Sequence, residues 1–197
     1  MNADGKAEII TGGAYRDGSH WVAQLSIWSG SSLNLKDTPT WDWGSDTWIS
    51  SVALGDVDGD GKIEIITSGY YFDGTRDVAQ LCVWSGTTLA LENIRTWYWV
   101  DDTYGGGVAV GDVYDDGKLE IVTGGSYHNG IGYAAQLCVL NGATLGLEDV
   151  TAWFWPNHTT INSVAVRDVD NDCKKEIIKG GLYAPSSYWV AQLCVWG

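Results

Sequence analysis

The sequence predicts an all-β protein built from one repeated unit. Its 197 residues repeat with a period of 56, without insertion or deletion. Two sets of identical residues mark the period: Glu8, Glu64, Glu120 and Glu176, and Gln24, Gln80, Gln136 and Gln192. Each repeat holds four short segments rich in Val, Ile, Trp and Tyr, separated by Gly, Asp, Asn and Ser, and none has helical periodicity. Four strands in a repeat of about this length are the signature of a β-propeller blade.

The strands of the second repeat illustrate the unit. We predict them at residues 51–55, 64–68, 78–84 and 96–99. The whole chain then forms a single domain of about three and a half blades, at approximately 1–48, 49–104, 105–160 and 161–197. Met1 aligns with Val57 and Gly197 with Ser85, so the first blade lacks its first strand and the last blade lacks its fourth. The competing architecture is a parallel β-helix, whose rungs are usually shorter than this repeat.

The charge balance restricts the partners. Asp and Glu number 25 against 11 Lys and Arg, giving a net charge of −14. Such a surface repels phosphate backbones and anionic membranes, so neither nucleic acid nor a membrane is an expected partner. No apolar run approaches the ~20 residues of a membrane helix, and the residues after Met1 do not form a signal peptide. These observations therefore do not assign the protein to a cellular compartment.

The loop between the first and second strands carries the strongest chemical signal. In the second repeat it places carboxylates at loop positions 1, 3, 5 and 9: Asp56, Asp58, Asp60 and Glu64. Gly61 at position 6 permits a sharp turn, and the Lys62 carbonyl at position 7 can add an oxygen. Several hard oxygen ligands around one point favour Ca2+, whereas Mg2+ retains more water and transition metals prefer His or thiolate. The loop therefore predicts a calcium site.

This D-x-D-x-D-G-x-x-E loop, followed by Ile-Ile-Thr, resembles the FG-GAP repeat of integrin α-chain heads and of many extracellular propellers. It differs from an EF-hand because Thr67 stands at position 12 and a strand follows. The resemblance extends over the whole chain. It implies a calcium-binding β-propeller with an extracellular or cell-surface location, in which calcium ties strands together and takes no part in catalysis.

The other three loops match this pattern to different degrees. The fourth loop has Asp168, Asp170, Asp172, Lys174 and Glu176, with Cys173 replacing the glycine. The third has Asp112, Asp116, Lys118 and Glu120, with Tyr114 at position 3. The first has Asn2, Asp4 and Glu8. Asp-Gly clusters also form ordinary turns, but four in register, each with Glu at position 9, favour calcium. We expect the Asp56 loop to bind it more tightly than the Asp112 loop.

Aromatic and glutamine residues suggest packing and a ligand surface. Three tryptophan pairs repeat and are expected to fill the space between blades: Trp41/Trp43, Trp97/Trp99 and Trp153/Trp155. Trp21, Trp48 and Trp189 vary between copies and lie near predicted loops, so they are the candidates for ligand contact. Indole faces stack on sugar rings, which makes a lectin one possible function. Gln24 and its equivalents are expected to form buried hydrogen bonds to the backbone.

Cysteine and histidine give no sign of catalysis. Cys82, Cys138 and Cys194 occupy one repeat position and are expected to be buried free thiols in different blades, while Cys173 lies in a loop. The three histidines do not recur at one repeat position, and no nucleophile motif is present. We therefore do not expect an enzyme.

The sequence as a whole predicts a calcium-stabilised β-propeller that binds a protein or glycan partner. The alternative is a structural repeat scaffold, or a fragment of a larger propeller protein or enzyme. The incomplete end blades predict either a four-bladed ring or a homodimer in which the ends of two chains complete the propeller.

Overall fold

The computed structural model describes residues 6–155 and 157–197, and the fold of these residues is all-β. The first unit contains β1 (Glu8–Arg16), β2 (Trp21–Ser29), β3 (Leu35–Asp37) and β4 (Thr40–Trp41). The second contains β5 (Thr47–Gly55), β6 (Glu64–Phe72), β7 (Asp77–Ser85) and β8 (Leu91–Trp97). The third contains β9 (Thr103–Gly111), β10 (Glu120–His128), β11 (Tyr133–Asn141) and β12 (Leu147–Trp153). The fourth contains β13 (His158–Arg167), β14 (Glu176–Ala184) and β15 (Val190–Trp196).

Every unit is an antiparallel meander, and its register repeats with the sequence. Glu64 pairs with Ser85, and Glu120 pairs with Asn141, at the same place in consecutive units. The third and fourth units are joined into one sheet by a single parallel pairing, Tyr133 with His158. In the described part of the chain, no sheet joins the first unit to the fourth. None of the described residues forms a helix of the length and apolarity that crossing a membrane requires.

The predicted outer strand is displaced by a few residues. It was expected at 96–99, but β8 runs from Leu91 to Trp97, so Trp99 lies beyond it. The reason is a contact with the next unit: the Trp99 amide donates to Thr103 Oγ1 (3.2 Å) at the start of β9. Trp43 and Trp155 make the equivalent bond to Thr47 and Thr159, each to the first strand of the following unit. This threonine contact turns the chain out of one unit and into the next.

The hydrophobic core consists of three clusters, and each lies between two consecutive units. Leu25 and Ile65 belong to the cluster between the first and second units. Ile66 and Ile121 belong to the next, and a third cluster joins Val122 to residues of the fourth unit. Because the second and third units bury both faces against neighbours, their central strands are apolar on both sides. The units are thus stacked face to face through apolar side chains.

A backbone irregularity recurs near the start of each first strand. The pairing of β5 with β6 shifts between Ile49 and Ser51, and that of β13 with β14 shifts between Ile161 and Ser163. Such a bulge leaves one residue unpaired and turns it out of the hydrogen-bonded ladder of the two strands. The facing position must be glycine: a Cβ on Gly69 would lie 1.9 Å from the Trp48 carbonyl oxygen. The bulge therefore explains why glycine stands at the position of Gly69. It also leaves Ser50 and Asn162 outside the paired residues of the ladder.

All four cysteines are free, as predicted. Cys82 and Cys138 are buried, but the prediction of burial is wrong for Cys194, which is only partly buried. Ile94 of β8 pairs with Cys82, and Val150 of β12 pairs with Cys138. Among the described residues no strand pairs with the outer edge of β15, so Cys194 has no such cover.

Candidate functional site

The acidic loops lie at one end of the second, third and fourth units, between the first and second strands. In each loop the glutamate at position 9 is buried and its Oε2 accepts the amide hydrogen of position 2. Glu64 accepts from Val57 at 3.0 Å, and Glu120 accepts from Val113 at 2.9 Å. The recurrent glutamate thus has a structural role, which the sequence did not reveal. Its second oxygen is left for another ligand.

In the second loop three carboxylates converge. One oxygen from each of Asp56, Asp58 and Glu64 lies within 4.8 Å of the others. Asp56 Oδ2 accepts from the Gly61 amide (2.9 Å), whereas Asp56 Oδ1 is buried and has no hydrogen-bond partner. A buried carboxylate oxygen without a partner is costly. The donor set and this orphaned oxygen fit a hard divalent cation.

Asp60, at position 5 of the loop, is not part of this cluster. Asp60 accepts from both the Lys62 amide (2.8 Å, at Oδ1) and the Lys62 Nζ (2.5 Å, at Oδ2). The Lys62 side chain is the largest influence that lowers the pKa of Asp60. In the third loop Lys118 pairs with Asp116 in the same way, at 3.1 Å. In the second and third loops the lysine at position 7 therefore pairs with the aspartate at position 5.

The third loop does not assemble the same cluster among the described residues, because Tyr114 replaces the aspartate at position 3. Both oxygens of Asp112 are also occupied. Oδ1 accepts from the Asp116 amide (3.1 Å), and Oδ2 accepts from the Gly117 amide (2.9 Å). The third loop therefore has fewer free oxygens than the second.

The fourth loop keeps the cluster, with Asp168, Asp170 and Glu176 within 4.8 Å of one another. Cys173 adopts a φ of 74°, close to the 86° of Gly61. Its amide donates to Asp168 Oδ2 (3.1 Å), as the Gly61 amide donates to Asp56. The turn therefore tolerates the missing glycine, although a left-handed backbone is unfavourable for a residue with a Cβ. Asp172 accepts from the Lys174 amide (2.8 Å), so it matches Asp60.

The first loop differs from the others. Asn2 and Asp4 lie outside the described residues, but Glu8 forms an ion pair with Lys36 (2.5 Å). The residues equivalent to Lys36 are Glu92 and Glu148. In the second unit, desolvation raises the pKa of the Glu64 carboxyl most strongly, and the negative charge of Glu92 adds to the rise. Sequence reasoning missed this position, which comparing the repeats at residues 36, 92 and 148 would have revealed.

The opposite end of the units carries a row of aromatic rings. Seven rings follow one another with centroids 4.8 to 6.1 Å apart: Trp21, Trp48, Tyr70, Tyr104, Tyr133, His158 and Trp189. The three candidate tryptophans lie in this row, and Trp21 and Trp189 are 37% and 57% exposed. The three tryptophans do not form one cluster. Trp21 contacts Trp48, whereas Trp189 contacts His158 at the other end of the row. Trp21, Tyr133 and Trp189 share one repeat position, and Trp48 and Tyr104 share another. Comparing the repeats for any aromatic residue, and not for tryptophan alone, would therefore have indicated most of the row.

A partly buried carboxylate lies beneath the row. Asp77 accepts a hydrogen bond from the Tyr104 hydroxyl, and burial raises the pKa of the Asp77 carboxyl above its usual value. The charges of Asp102 and Asp46 raise it further. Desolvation, followed by hydrogen bonds with Asp77 and Tyr133, also raises the pKa of Tyr104. This network holds the Tyr104 ring in place.

A cavity of about 320 Å³ lies beside the row. Two tyrosines and four residues with hydroxyl or amide side chains line it: Tyr70, Tyr104, Ser50, Ser126, Thr160 and Asn162. Its remaining described lining is Ile161 and glycine backbone, so no charged side chain of residues 6–155 or 157–197 faces it. The three candidate tryptophans do not line this cavity. Its volume falls at the lower end of the range for small-ligand sites.

The repeated glutamines connect the units. Gln80 Nε2 donates to the carbonyls of Trp48 (3.3 Å) and Tyr70 (3.2 Å), which confirms the predicted backbone links. Gln80 Oε1 accepts from Trp43 Nε1 of the preceding unit at 2.7 Å. Trp97 and Trp99 both donate to Gln136 in the same way. The tryptophan pairs therefore lie between units, as predicted, and Trp43, Trp97 and Trp99 also donate hydrogen bonds there.

Comparison with known proteins supports the repeat. Residues 1–67 match the family model of the FG-GAP-like repeat. This segment contains the first unit and the acidic loop of the second. No curated protein matches the chain.

Proposed function

We propose that the chain, whose residues 1–67 match the FG-GAP-like repeat family, is a calcium-stabilised β-propeller that binds a protein or glycan partner. The propeller arrangement is supported by four successive meanders that stack face to face. Their cores lie only between neighbours in sequence. The first strands β5, β9 and β13 contact one another in order, as the inner strands of propeller blades do.

Two observations on Asp56 together carry the calcium proposal: its carboxylate converges with those of Asp58 and Glu64, and its Oδ1 is buried without a hydrogen-bond partner. Three carboxylates at this distance repel one another, and Glu64 is also desolvated. A bound Ca2+ removes both costs. It also joins the end of β5 to the start of β6, so calcium stabilises the blade.

The binding role rests on the aromatic row and the cavity beside it. The hydroxyl groups of Ser50 and Ser126 and the Asn162 amide can exchange hydrogen bonds with a hydroxyl-rich ligand, and the Tyr70 and Tyr104 rings offer apolar faces. A neutral cavity does not attract a phosphate or a cation. The chemistry of this face therefore favours a sugar residue, presented by a glycan or a glycoprotein. The FG-GAP-like repeats agree with a location outside the cell.

Thermal unfolding with and without calcium tests the metal. A ligand that binds only the folded state at 100 times its Kd stabilises it by about 2.7 kcal/mol. We expect excess chelator to lower the Tm by several degrees and added Ca2+ to restore it. Asp56→Asn should reduce this response, and the double variant Asp56→Asn, Asp168→Asn should lose most of it, because the fourth loop holds the second cluster. Asp115→Asn removes a carboxylate at loop position 4 and should retain the response. An unchanged Tm in chelator would reject the proposal.

A glycan array tests the partner. We expect the chain to retain a defined class of neutral glycans, and Asn162→Ala to lose it. Ile131→Ala, a change at an exposed loop residue outside the cavity lining, should keep it. If the chain binds no glycan while calcium still raises its Tm, the structural scaffold becomes the better explanation.

A further inference from the structure

The third unit departs from the repeat at a core position. Leu140 stands where the other three units have tryptophan: Trp28, Trp84 and Trp196. Leu140 is 1% exposed and belongs to the core cluster between the second and third units. Because a leucine side chain is smaller than an indole, the exchange removes an aromatic ring from this interface.

At the other two interfaces the indole packs on a tryptophan of the preceding unit. Two pairs show this contact, with ring centroids 4.4 and 5.9 Å apart: Trp41/Trp84 and Trp153/Trp196. Trp97 is the equivalent tryptophan of the second unit, and it packs against the cluster that contains Leu140. The interface between the second and third units therefore presents the first ring of such a pair without the second.

A cavity of about 100 Å³ lies at this place. Trp97 and Leu140 line it together with Trp99, Cys138, Leu147 and Arg95. Trp97 and Trp99 both donate their indole hydrogens to Gln136, so hydrogen bonds hold the two rings that form one wall. Trp99 and Leu147 are 42% and 37% exposed, which leaves the cavity accessible to a ligand from solvent.

The lining indicates what the cavity can bind. It is mainly apolar, and an apolar cavity of about 150 Å³ is known to stay dry and to bind benzene. Arg95 is the charged residue among the described residues that line it. Arg95 Nη1 donates to the Leu145 carbonyl at 2.7 Å, which holds the guanidinium at the cavity. A guanidinium is attracted to the face of an aromatic ring, so Arg95 favours an aromatic over a saturated ring.

We propose that this cavity is a binding site for a small uncharged aromatic molecule of one or two fused rings. The bound ring takes the place of the indole that Leu140 lacks, and it packs against Trp97 as Trp84 packs against Trp41. The site lies between β8 and β11, apart from the cavity beside the aromatic row, and it requires neither calcium nor a glycan.

Isothermal titration calorimetry of the folded chain with indole tests this proposal. We expect a Kd of about 1 mM or tighter, because the ring transfers its apolar surface out of water. Leu140→Trp introduces the residue of the other three units and fills the cavity. It should weaken indole binding by about tenfold or more, since little apolar surface is left for the ligand to bury. Ile131→Trp is the matched control, because it adds a tryptophan to an exposed loop and should leave the Kd unchanged.

Leu140→Phe is a smaller change at the same position, and it keeps the test valid if circular dichroism shows that Leu140→Trp does not fold. A phenyl ring occupies part of the cavity, so this variant should also weaken binding. Absence of indole binding by the wild type would overturn the site. The same Kd in the wild type and the folded Leu140 variants would also overturn it, because indole would then bind elsewhere.

The preference for an aromatic ring is tested with two alcohols of similar size, benzyl alcohol and cyclohexylmethanol. We expect the wild type to bind benzyl alcohol more tightly. Arg95→Met should lose this preference, because methionine keeps an apolar side chain but has no positive charge. Equal Kd values for the two alcohols in the wild type, or the same preference in Arg95→Met, would overturn the role of Arg95.

Discussion

Asp56 and Asp112 occupy the same position in consecutive loops, but only Asp56 retains a buried oxygen without a hydrogen-bond partner. Both oxygens of Asp112 accept backbone amide hydrogens, whereas Asp56 uses Oδ2 alone. The difference accompanies the change from Asp58 to Tyr114 two residues later. The two loops share a backbone turn but not a donor set, so we expect different affinities for calcium.

Exchanging the residue at position 3 should exchange these affinities. We expect Tyr114→Asp to strengthen calcium binding in the third loop and Asp58→Tyr to weaken it in the second. The change should be at least about tenfold, because even indirect changes around a metal cost ~10–100-fold in affinity. Isothermal titration calorimetry of the two variants measures it. If Tyr114→Asp left the number of tight sites unchanged, position 3 would not control the difference.

Asp77→Asn should stabilise the protein at neutral pH. Burial raises the pKa of Asp77 in the folded state, so the folded chain binds this proton more tightly than the unfolded chain does. The free energy of unfolding therefore falls as the pH rises from the pKa of Asp77 in the unfolded chain to its higher pKa in the folded chain. Asparagine removes the charge and keeps an oxygen for the Tyr104 hydroxyl. We expect a higher Tm than the wild type at pH 7 and equal values at pH 3.

Asp73→Asn is the matched control. Amide hydrogen bonds from Arg76 and Thr75 lower the pKa of Asp73, so its contribution to stability is present at neutral pH and is lost on acidification. This variant should not raise the Tm at pH 7. A similar rise in both variants would show that general charge repulsion, and not burial of Asp77, is responsible.

Gln80→Leu should destabilise the chain by roughly 1–3 kcal/mol, because the change leaves buried polar groups unpaired. Gln80 accepts from the Trp43 indole and donates to two carbonyls. Gln192→Leu removes the bond to the Leu182 carbonyl and the bond from the buried Lys179 Nζ, so it should also destabilise the chain. Urea denaturation measures both variants. An unchanged free energy of unfolding in either variant would contradict the role of the glutamine as a buried hydrogen-bonding link.

We propose that the chain self-associates through the open face of the fourth unit. Leu193 and Val195 of β15 lie on one face of its sheet and are 72% and 53% exposed, and exposed apolar patches mark interaction surfaces. Light scattering of the calcium-loaded chain should give twice the 21.4 kDa of one chain. Leu193→Lys should yield the monomer, whereas Ile131→Lys, a change in an exposed loop, should not. A wild-type mass of 21.4 kDa would contradict this prediction.

The sequence by itself determined the repeat, the all-β class and the location of the acidic loops. These features are local or periodic. Alternating apolar residues, turn residues and carboxylates occur at the same spacing in every repeat. The register of β6 with β7 could therefore be anticipated from one unit and applied to β10 with β11. Boundaries were less certain, because the end of β8 depends on Thr103 of the following unit.

Only the tertiary structure decided what each repeated residue contacts. Glu8 meets Lys36, and Asp56 keeps an unpaired oxygen, although both belong to the same loop pattern. The aromatic row joins rings from different repeat positions, such as Trp48 and Tyr70, that are close only after the sheets form. Burial of Lys179 against Trp153 likewise depends on the packing of two units. The charge interactions and the solvation of a side chain depend on distances between atoms in the folded chain. The spacing of residues along the sequence does not give these distances.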